Sequence, residues 1–596
     1  MIADTCDVIV VGAGPVGATA ALLLASQGLS CIVIEAQQQA YSGPAVHVVS
    51  TRSMEIWREV GLEGDILALS KMMREKGGIP HCSALTGLEM EPAHPAELPD
   101  MHMGVGDFVS PTRAVHLPEN LLSPLLWLHL RGNPRIDLRT GWKYLSHTDF
   151  TDGVTVSVAD AATGTRDVIV ANYIVATDGP SSSVRLALGV ATHGPMLQHM
   201  VSVHFSGELE ALPRAASGPV VWTRSANGVG ALLIHGGPND LVFQFPYFPP
   251  FESLDDFPPA TCRDRILDAI GDRNIEVNVK AVESWTVQMQ VATTYRIGRS
   301  FLAGEAAHRF PPDSALGLNT GIADVHNLAW KLAWVHTGRA GDDLLNTYER
   351  ERHPVGVAMA AEAMESLDGM LEVVAVLGLP RRAARLLPRA VAALPTWLPQ
   401  APVRVVLHGL IRLAYQRFFL GISPGRVGRS ARRRARAAIT RQRSHHHTCG
   451  RDLRVRYTDG AVSSDGLPAA RNDQHFCAPF SRSGGRLPHR WVSERGGRVS
   501  TLDLISRDEL TLLMTSESAP VWCVAAEGLP FSPVAVAERD IFETGVPARR
   551  FDALVVRPDG HIVAALDSER HGAGSLRQAL LVVGASSSAA GADATP

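Results

Sequence analysis

The amino-acid sequence predicts an α/β protein built from several domains. Its 596 residues are too many for one core of ordinary size, and this length suggests roughly three or four domains. Near the N-terminus, apolar runs at Val8–Val11 and Cys31–Ile34 flank an Ala/Leu-rich stretch, Ala18–Gln27, which predicts a strand, a helix and a strand. From about 190 to 300, short alternating apolar runs separated by Gly, Pro and Asn predict an antiparallel sheet.

The composition is that of a globular protein. Hydrophobic residues make up 45% of the chain, charged residues make up 19%, and the mean hydropathy is +0.05. A net charge of −4 argues against a chain built as a whole to bind nucleic acid. The 7 cysteines form no CxxC pair, and we find neither a secretory signal nor an apolar run of about 18 residues. We therefore expect a soluble protein of the cytoplasm with reduced thiols and no transmembrane segment.

Later segments complete the predicted organisation. Residues 301–352 read as strand, loop and a long amphipathic helix, and the following Ala/Leu/Arg-rich stretch reads as helical. The last 150 residues form another α/β piece, with strands at Leu510–Met514 and Leu554–Arg557. The predicted domains are 1–188 with 296–360, 189–295 for the sheet, 361–443 for the helices and 444–584 for the C-terminal piece, followed by a disordered tail at 585–596.

A glycine fingerprint joins the first strand to the first helix. Gly12 permits the tight turn, Gly14 lets a pyrophosphate approach the backbone, and Gly17 lets the helix and strand pack closely. Pro15 and Val16 stand between these glycines. The strand-turn-helix setting predicts a bound dinucleotide.

The second strand ends in an acid. A carboxylate at Glu35, followed by Ala36, can accept hydrogen bonds from both hydroxyls of an adenosine ribose and would repel a 2′-phosphate. We therefore expect FAD or NAD rather than NADP at this site. A second fingerprint is absent, because Gly104–Gly106 lacks the third glycine. The sequence therefore predicts one bound dinucleotide.

Two later segments carry a family resemblance. Ala176-Thr-Asp-Gly-Pro-Ser-Ser-Ser-Val-Arg185 resembles the DG motif of the FAD-dependent aromatic hydroxylases, the group A flavoprotein monooxygenases. Gly298–Pro312 with Gly317–Gly321 resembles their GD motif and flavin loop. The remainder is similar to the phenol-hydroxylase-like and polyketide hydroxylase branch, whose C-terminal domain is thioredoxin-like, through Gly484–His489 and Val555–Gly560.

This resemblance implies a Rossmann-like FAD-binding domain with an inserted antiparallel-sheet substrate domain. It also implies bound FAD, NAD(P)H as transient reductant and O2 as co-substrate, with a flavin C4a-hydroperoxide oxygenating an electron-rich ring. The C-terminal domain, lacking CxxC, would be structural or an oligomer contact. The cofactor-binding residues implied are Gly12, Gly14, Pro15, Val16, Gly17, Glu35, Ala36, Arg113, Asp178, Gly179, Arg185, Gly304, Glu305, Pro312, Gly317, Leu318 and Asn319.

Physical reasons support several of these positions. An acid at Glu305 can hold ribityl hydroxyls, and Asp178 with Arg185 would fix the DG loop. A helix beginning near Leu318 would direct free N–H groups at the flavin N1 and C2 carbonyl, which stabilises the negative charge of the reduced ring. Its recurring apolar residues, beginning with Ile322, predict a core-facing side.

Four positions depart from the family pattern. Glu305 replaces the usual Asp but keeps its charge, and Glu119 stands where many relatives have Gln. Pro44-Ala45 stands where many have Arg. Asp313–Ala315 replaces a glycine-rich stretch, and a side chain at Ala315 could crowd the ring or forbid a positive φ.

Substrate residues are sought in the predicted sheet, where an aromatic is more often plain core. No catalytic side chain is assigned, and His308 is interpreted as a structural loop residue. His445–His447 has no second ligand cluster, so no metal is expected, and Arg426–Arg443, with 8 arginines, predicts a solvated helix face or an acidic partner. The candidates that could line a pocket are Trp222, His235, Phe243, Gln244 and Trp285.

The leading hypothesis is a single-component flavin monooxygenase that hydroxylates a phenolic or polyketide-derived aromatic compound. Baeyer–Villiger oxygenation or epoxidation on the same scaffold is one alternative. A flavin-binding protein without oxygenase activity is another, because of the changed loop at Asp313–Ala315. The expected partners are a small aromatic substrate, no nucleic acid, and a second copy in a possible homodimer.

Overall fold

A computed structural model gives the fold of the chain between residues 4 and 585. The predictions on Pro44-Ala45, Gly104–Gly106, Asp313-Ser314 and the His445–His447 side chains lie outside the described residues, as does nearly all of the predicted tail. The segments not described are 1–3, 44–47, 73–80, 88–108, 210–219, 226–227, 236–239, 313–314, 377–380, 396, 423–424, 447–450, 465–480, 495–496, 544–550 and 586–596.

A parallel sheet organises the N-terminal part. Its elements are β1 (Asp4–Val11), α1 (Pro15–Ser26), β2 (Cys31–Glu35), β3 (Val48–Val49), α2 (Thr51–Glu59), α3 (Glu63–Leu69), β4 (Lys71–Met72), β5 (His81–Cys82), β6 (Val115–His116), α4 (Glu119–Gly132), β7 (Ile136–Thr140), β8 (Trp142–Phe150), β9 (Gly153–Asp160), β10 (Arg166–Ala176) and α5 (Ser183–Ala187). β1 lies between β2 and β10 and runs parallel to both, and β7 extends the sheet beyond β2. The residues Val8–Val11 are buried on both faces, which explains their unbroken apolar run.

A second sheet lies beside the first. The elements here are β11 (Thr192–His193), β12 (Met196–Ser206), β13 (Val220–Ser225), β14 (Gly228–Ile234), β15 (Leu241–Tyr247), α6 (Pro259–Ile270), β16 (Asn278–Gln288), β17 (Gln290–Ala292), β18 (Arg296–Ile297), β19 (Ser300–Leu302) and β20 (His308–Arg309). The strand order is β16-β12-β15-β14-β13-β5, antiparallel except where β5 joins β13. One face packs on α6, while β19 returns to the first sheet beside β10. Thus residues 81–82 join a sheet that the sequence placed within 189–295.

Long helices follow. They are α7 (Leu316–His336), α8 (Asp343–Val376), α9 (Arg381–Ala392), α10 (Gln400–Ile422) and α11 (Arg426–His446). The predicted boundary after residue 360 falls inside α8, because the buried side of that helix continues through Met359, Ala360 and Ala363. None of the helices within the described residues is long and apolar enough to cross a membrane.

The C-terminal part is a small α/β unit. It contains β21 (Trp491–Glu494), β22 (Gly497–Ser500), β23 (Leu510–Thr515), α12 (Ala519–Ala525), β24 (Phe531–Val536), β25 (Ala553–Val556), β26 (Ile562–Leu566) and α13 (Ala573–Val582). β23 pairs in parallel with β24 and antiparallel with β25, which pairs with β26. The α/β class is confirmed, with a parallel-sheet body, a separate antiparallel sheet, a helical segment and a C-terminal α/β unit.

Buried ion pairs fasten the C-terminal unit to the body. Arg486 donates to both carboxylate oxygens of Glu55 on α2, with an Nε–Oε2 distance of 2.8 Å. Arg557 donates to Glu351 on α8 at 2.8 Å, and Lys331 on α7 donates to the same carboxylate at 2.8 Å. These charges are buried, so they are stable only as a paired set.

Candidate active site

The first glycines form a cradle at the start of α1. Gly12 has a φ of +99°, and a Cβ there would lie 2.6 Å from the Thr177 carbonyl oxygen. A Cβ on Gly17 would lie 1.9 Å from the Gly12 oxygen, whereas a Cβ on Gly14 would meet nothing within 4 Å. The first turn of α1 has no side-chain cap, and Pro15 occupies its start. Free N–H groups therefore point at open space beside Gly14, which is the chemistry of a phosphate site.

Glu35 is held at the end of β2. Its Oε2 accepts from the Ala13 N–H and its Oε1 accepts from the Gln37 N–H, both at 2.8 Å. Trp127 fixes the same turn by donating to the Ala13 carbonyl at 2.8 Å, and Ala36 is exposed beside it. Each carboxylate oxygen retains a lone pair, so the group can accept from two further hydroxyls.

The DG loop follows β10. Asp178 accepts from the Val184 N–H through Oδ2, whereas its Oδ1 is buried without a hydrogen-bond partner among the described residues. Burial raises the pKa of Asp178. Gly179 has a φ of +77°, and Arg185 donates to the Ala306 carbonyl at 2.9 Å. Arg185 thereby joins the DG loop to the GD loop, and Asp178 offers an unsatisfied oxygen to a ligand.

The GD loop lies against α1 and α7. A Cβ on Gly304 would meet the Val16 side chain at 3.2 Å, and a Cβ on Gly321 would lie 2.9 Å from the Gly304 Cα. Only glycine allows these three segments to approach so closely. Glu305 follows Gly304 and keeps an accessible carboxylate although protein surrounds it.

Glu119 lies within electrostatic reach of Glu305, and we call the region between these two acids, the glycine cradle and the DG loop the cleft. Glu119 begins α4, and burial together with the charge of Glu305 raises its pKa to about 7. Burial also raises the pKa of Glu305, while Arg309 and His308 oppose that rise. Near neutral pH a substantial fraction of Glu119 is therefore protonated, and it can act as a hydrogen-bond donor.

The helix predicted to begin near Leu318 is present as α7. It begins two residues earlier, at Leu316, and Ala315 precedes it with a φ of +51°. A side chain at Ala315 is expected to disfavour such a φ, but the chain adopts it at a cost of about 1–2 kcal/mol. Gly317 and Leu318 lie in the first turn, where backbone N–H groups have no partner within the helix.

The side chain of Asn319 is held by other parts of the chain. Its side-chain N–H groups donate to the Val48 and Ala315 carbonyls, and its Oδ1 accepts from the Ser50 N–H and the Ser53 hydroxyl. The amide is thus fully used within the protein. It ties α7 to the start of α2, so a cofactor contact at Asn319 remains a prediction for its backbone.

A buried charge cluster supports the GD loop from behind. The His308 Nε2 atom lies 2.7 Å from Oδ2 of Asp324. Arg352 donates through Nε to Oδ1 of the same carboxylate at 2.8 Å. Burial favours the protonated carboxyl, but Arg352 and His308 lower the pKa of Asp324. Sequence reasoning missed Asp324 and Arg352; the available signal was a lone acid among the apolar residues of α7.

The sheet candidates divide between two faces. Trp222 and Gln244 both pair with Ala231, and Gln244 also pairs with Ser202, which lies opposite Glu283. Cross-strand partners share a face, so these side chains form one row. The hydroxyl of Tyr41, from the N-terminal part, contacts Glu283 at 3.3 Å.

His235 and Trp285 lie on the same face as this row. His235 stacks on His116 at 5.3 Å, directly before α4. Arg113 is exposed and lies just before β6, which contains His116. The indole N–H of Trp285 is buried without an acceptor among the described residues. The row and these neighbours therefore lie on the side of the sheet that contacts the N-terminal part through Tyr41 and His116.

Phe243 belongs to the other face. Its ring lies 5.7 Å from that of Phe245, in the core between the sheet and α6. Strand alternation turns Phe243 away from Gln244, so the two predicted pocket residues lie on opposite faces of the sheet. Pro312 is exposed in the flavin loop and Gly14 remains open, as described above.

Comparison with known proteins is consistent with this geometry. Residues 5–363 match the FAD binding domain family, and residues 481–584 match the family described as aromatic-ring hydroxylase, C-terminal. The chain is 30% identical to 2,4-dichlorophenol 6-monooxygenase of Delftia acidovorans, over 87% of this chain and 86% of that protein. It is 31% identical to tetracenomycin B2 monooxygenase-dioxygenase of Streptomyces olivaceus, over 94% and 95%. A solved structure of the flavin-dependent monooxygenase PieE with FAD and substrate superimposes with a TM-score of 0.83 at 26% identity, covering 97% of this chain and 99% of that one.

Proposed function

This chain belongs to the FAD-dependent aromatic-ring hydroxylases, and on that premise we propose that it hydroxylates a phenolic or polyketide-derived ring. One atom of O2 enters the ring in place of hydrogen, and the other leaves as water. NADH or NADPH supplies the two electrons. The observation that carries the proposal is the contact between Tyr41 and Glu283, which brings the face of the Trp222–Gln244 row against the N-terminal part that contains the glycine cradle.

The residues of the cleft fit FAD. The cradle at Gly14 suits the pyrophosphate, Glu35 suits the adenosine ribose, and the unpartnered oxygen of Asp178 with the carboxyl of Glu305 suits hydroxyls of the ribityl chain. When bound, FAD supplies hydride acceptance and oxygen activation. The start of α7 at Leu316 presents N–H groups that favour negative charge near it.

The sheet face sets the environment of the ring. Trp222 and Trp285 offer aromatic surface, while Gln244 and His235 offer hydrogen bonds to phenolic oxygens. Such a mixture orients a polar-edged aromatic and keeps water from the reacting atoms. Two relatives are named for a chlorinated phenol and for tetracenomycin B2, so we infer a substrate with at least one phenolic ring.

Anaerobic reduction of the holoenzyme tests the proposal. We expect NADH or NADPH to bleach the flavin faster when a substrate phenol or hydroxylated polycycle is present. When the reaction runs under 18O2, one labelled oxygen atom should enter the product, and the number of rings should not change. An inserted ring oxygen or an epoxide would instead favour the other oxygenases, and flavin that no nicotinamide bleaches would refute oxygenase activity.

A matched pair of variants tests the substrate face. Gln244→Leu should raise KM for the ring substrate and leave FAD affinity unchanged, since Gln244 lies on the cleft face. Phe243→Leu serves as the control for strand perturbation, since Phe243 lies on the same strand but packs on the α6 side of the sheet. A homodimer and a cytoplasmic location remain predictions, which sedimentation and cell fractionation test.

A further inference from the structure

The helical segment has an extreme charge. Between Glu372 and Asp452 lie 79 residues with 16 arginines and no Asp, Glu or Lys. The other 517 residues hold 40 basic and 60 acidic side chains. The charged side chains of this segment are all basic, whereas the rest of the chain is acidic. Such a segment is typical of a surface that binds a negatively charged partner.

One side of the segment is fastened to the antiparallel sheet domain. Val391 on α9 and Leu407 on α10 pack on Phe248 and Phe251, which follow β15. His408 on α10 lies 2.6 Å from Glu252. Arg404 donates to the Phe251 carbonyl and pairs with Asp256. The inner side of α10 is therefore defined by both apolar and charged partners.

The outer side of α10 is apolar and exposed. Val405, Val406, Leu410 and Leu413 fall within one stripe of the helix, on the side away from Arg404 and His408. Val405 is 73% exposed and Leu410 is 56% exposed. We define the α9–α10 face as the exposed side chains Leu386, Trp397, Val405, Val406, Leu410 and Leu413.

Arginines border this face. Arg382 and Arg389 are exposed on α9, and Arg412 is exposed on α10. Exposed aliphatic side chains and a Trp with a margin of arginine are the chemistry of a helix that lies in a membrane interface. Anionic headgroups attract each basic residue, and the absence of any acid across the segment removes all local repulsion.

Other occupants fit less well. A second copy related by a two-fold axis would bring arginine-rich surface against arginine-rich surface, which is repulsive. Nucleic acid would engage the arginines but would leave the aliphatic stripe in water. An acidic protein partner would require positive charge only where it contacts the chain, so it does not account for the absence of acids from the whole segment. A bilayer disfavours a carboxylate anywhere on the α9–α10 face.

We propose that the α9–α10 face docks on the surface of an anionic lipid bilayer. The helices lie on the surface and do not cross it, since none is long and apolar enough to span a membrane within the described residues. Apolar side chains enter the headgroup boundary while the arginines meet phosphates. The antiparallel sheet domain, through Phe248 and Phe251, then stands next to the membrane.

Flotation with lipid vesicles tests this proposal. The full-length holoenzyme is mixed with vesicles of phosphatidylcholine, with or without phosphatidylglycerol, at low and high salt. The test variant is Val405→Glu/Leu410→Glu. The matched control is Val524→Glu/Val521→Glu on α12, where the native side chains are 73% and 54% exposed.

We expect flotation with anionic vesicles at low salt and little with neutral ones. The test variant should reduce the partition coefficient by roughly tenfold or more, because two apolar side chains are replaced by charge, and the control should change it less than about twofold. Flavin content and melting temperature establish that each variant folds. If the test variant does not fold, Arg382→Gln/Arg389→Gln replaces it and should weaken binding in a salt-dependent way.

Several outcomes overturn the proposal. They are an absence of flotation with anionic vesicles at low salt, flotation that the test variant leaves intact, and equal losses in the test and control variants. A concentration-dependent dimer in sedimentation that the test variant dissociates would assign the face to a second copy. Stoichiometric binding of an acidic protein without vesicle binding would assign it to a protein partner.

Discussion

Replacing Glu351 by Gln should loosen the junction between the C-terminal unit and the body. The carboxylate accepts from Lys331 and Asn327 through Oε2, at 2.8 and 2.6 Å, and from Arg557 and the Ala461 N–H through Oε1, each at 2.8 Å. Gln is the same size but directs an NH2 group at donors. The variant therefore removes the counter-charge and leaves a donor facing donors.

The structure sets the size of this loss. Breaking a fully buried ion pair costs about 3–5 kcal/mol. Burial already lowers the pKa of Lys331 to about 8, so its neutralisation relieves part of the loss, and Arg557 retains Asp559 at 2.6 Å. We expect a destabilisation of about 3 kcal/mol, which lowers the melting temperature of a unit of this size by about 6–12 °C.

Differential scanning calorimetry of the holoenzyme measures the effect, with Glu365→Gln as the control because Glu365 is an exposed acid on the same helix. Burial would raise the pKa of Glu351, but Arg557 and Lys331 lower it to about 2. Its stabilisation is therefore complete above about pH 4.5 and is lost as the pH falls through 2. The variant should lack this acid-dependent component. A melting temperature within about 2 °C of the wild type would refute the argument.

Three further predictions concern the cleft. Gly17→Ala places a Cβ 1.9 Å from the Gly12 oxygen, so FAD affinity, measured by fluorescence quenching, should fall about ten- to a hundredfold. Asn319→Ala removes four hydrogen bonds at the start of α7 and should cost about 2–3 kcal/mol in thermal unfolding while weakening FAD binding. Glu119 has its pKa raised to about 7 by burial and by Glu305, so it carries its charge with increasing cost as the pH rises from about 4.5 through 7. Because FAD carries a negatively charged pyrophosphate, a charged Glu119 opposes its binding. FAD should therefore bind more tightly at about pH 6 than at about pH 8, and Glu119→Gln should remove most of that difference.

Specific controls separate these effects from general damage. Gly14→Ala should spare the fold, since its Cβ meets nothing within 4 Å, so equal loss of stability in Gly14→Ala and Gly17→Ala would contradict the packing argument. Unchanged FAD affinity in Asn319→Ala would disconnect the start of α7 from the cofactor. A pH dependence that persists in Glu119→Gln would assign the titration to another group.

Much of the fold follows from local sequence. The run Val8–Val11, the glycines from Gly12 to Gly17 and the acid at Glu35 each obey a rule that operates over a few residues, and their setting identifies the dinucleotide cradle. The same holds for the strands at Leu510–Thr515 and Ala553–Val556. Periodicity also determined that the antiparallel sheet has two different faces.

Only the tertiary structure decided which face meets the cleft and which charges are shared. Phe243 and Gln244 are neighbours in sequence, and nothing local says which of them α6 covers. Arg557 and Glu351 are separated by 206 residues, and Arg486 and Glu55 by 431. The sequence by itself determined the cradle because short-range backbone geometry requires its glycines. It left the paired charges open because burial and a partner's position, set by the packing of distant segments, determine the energy of a charge.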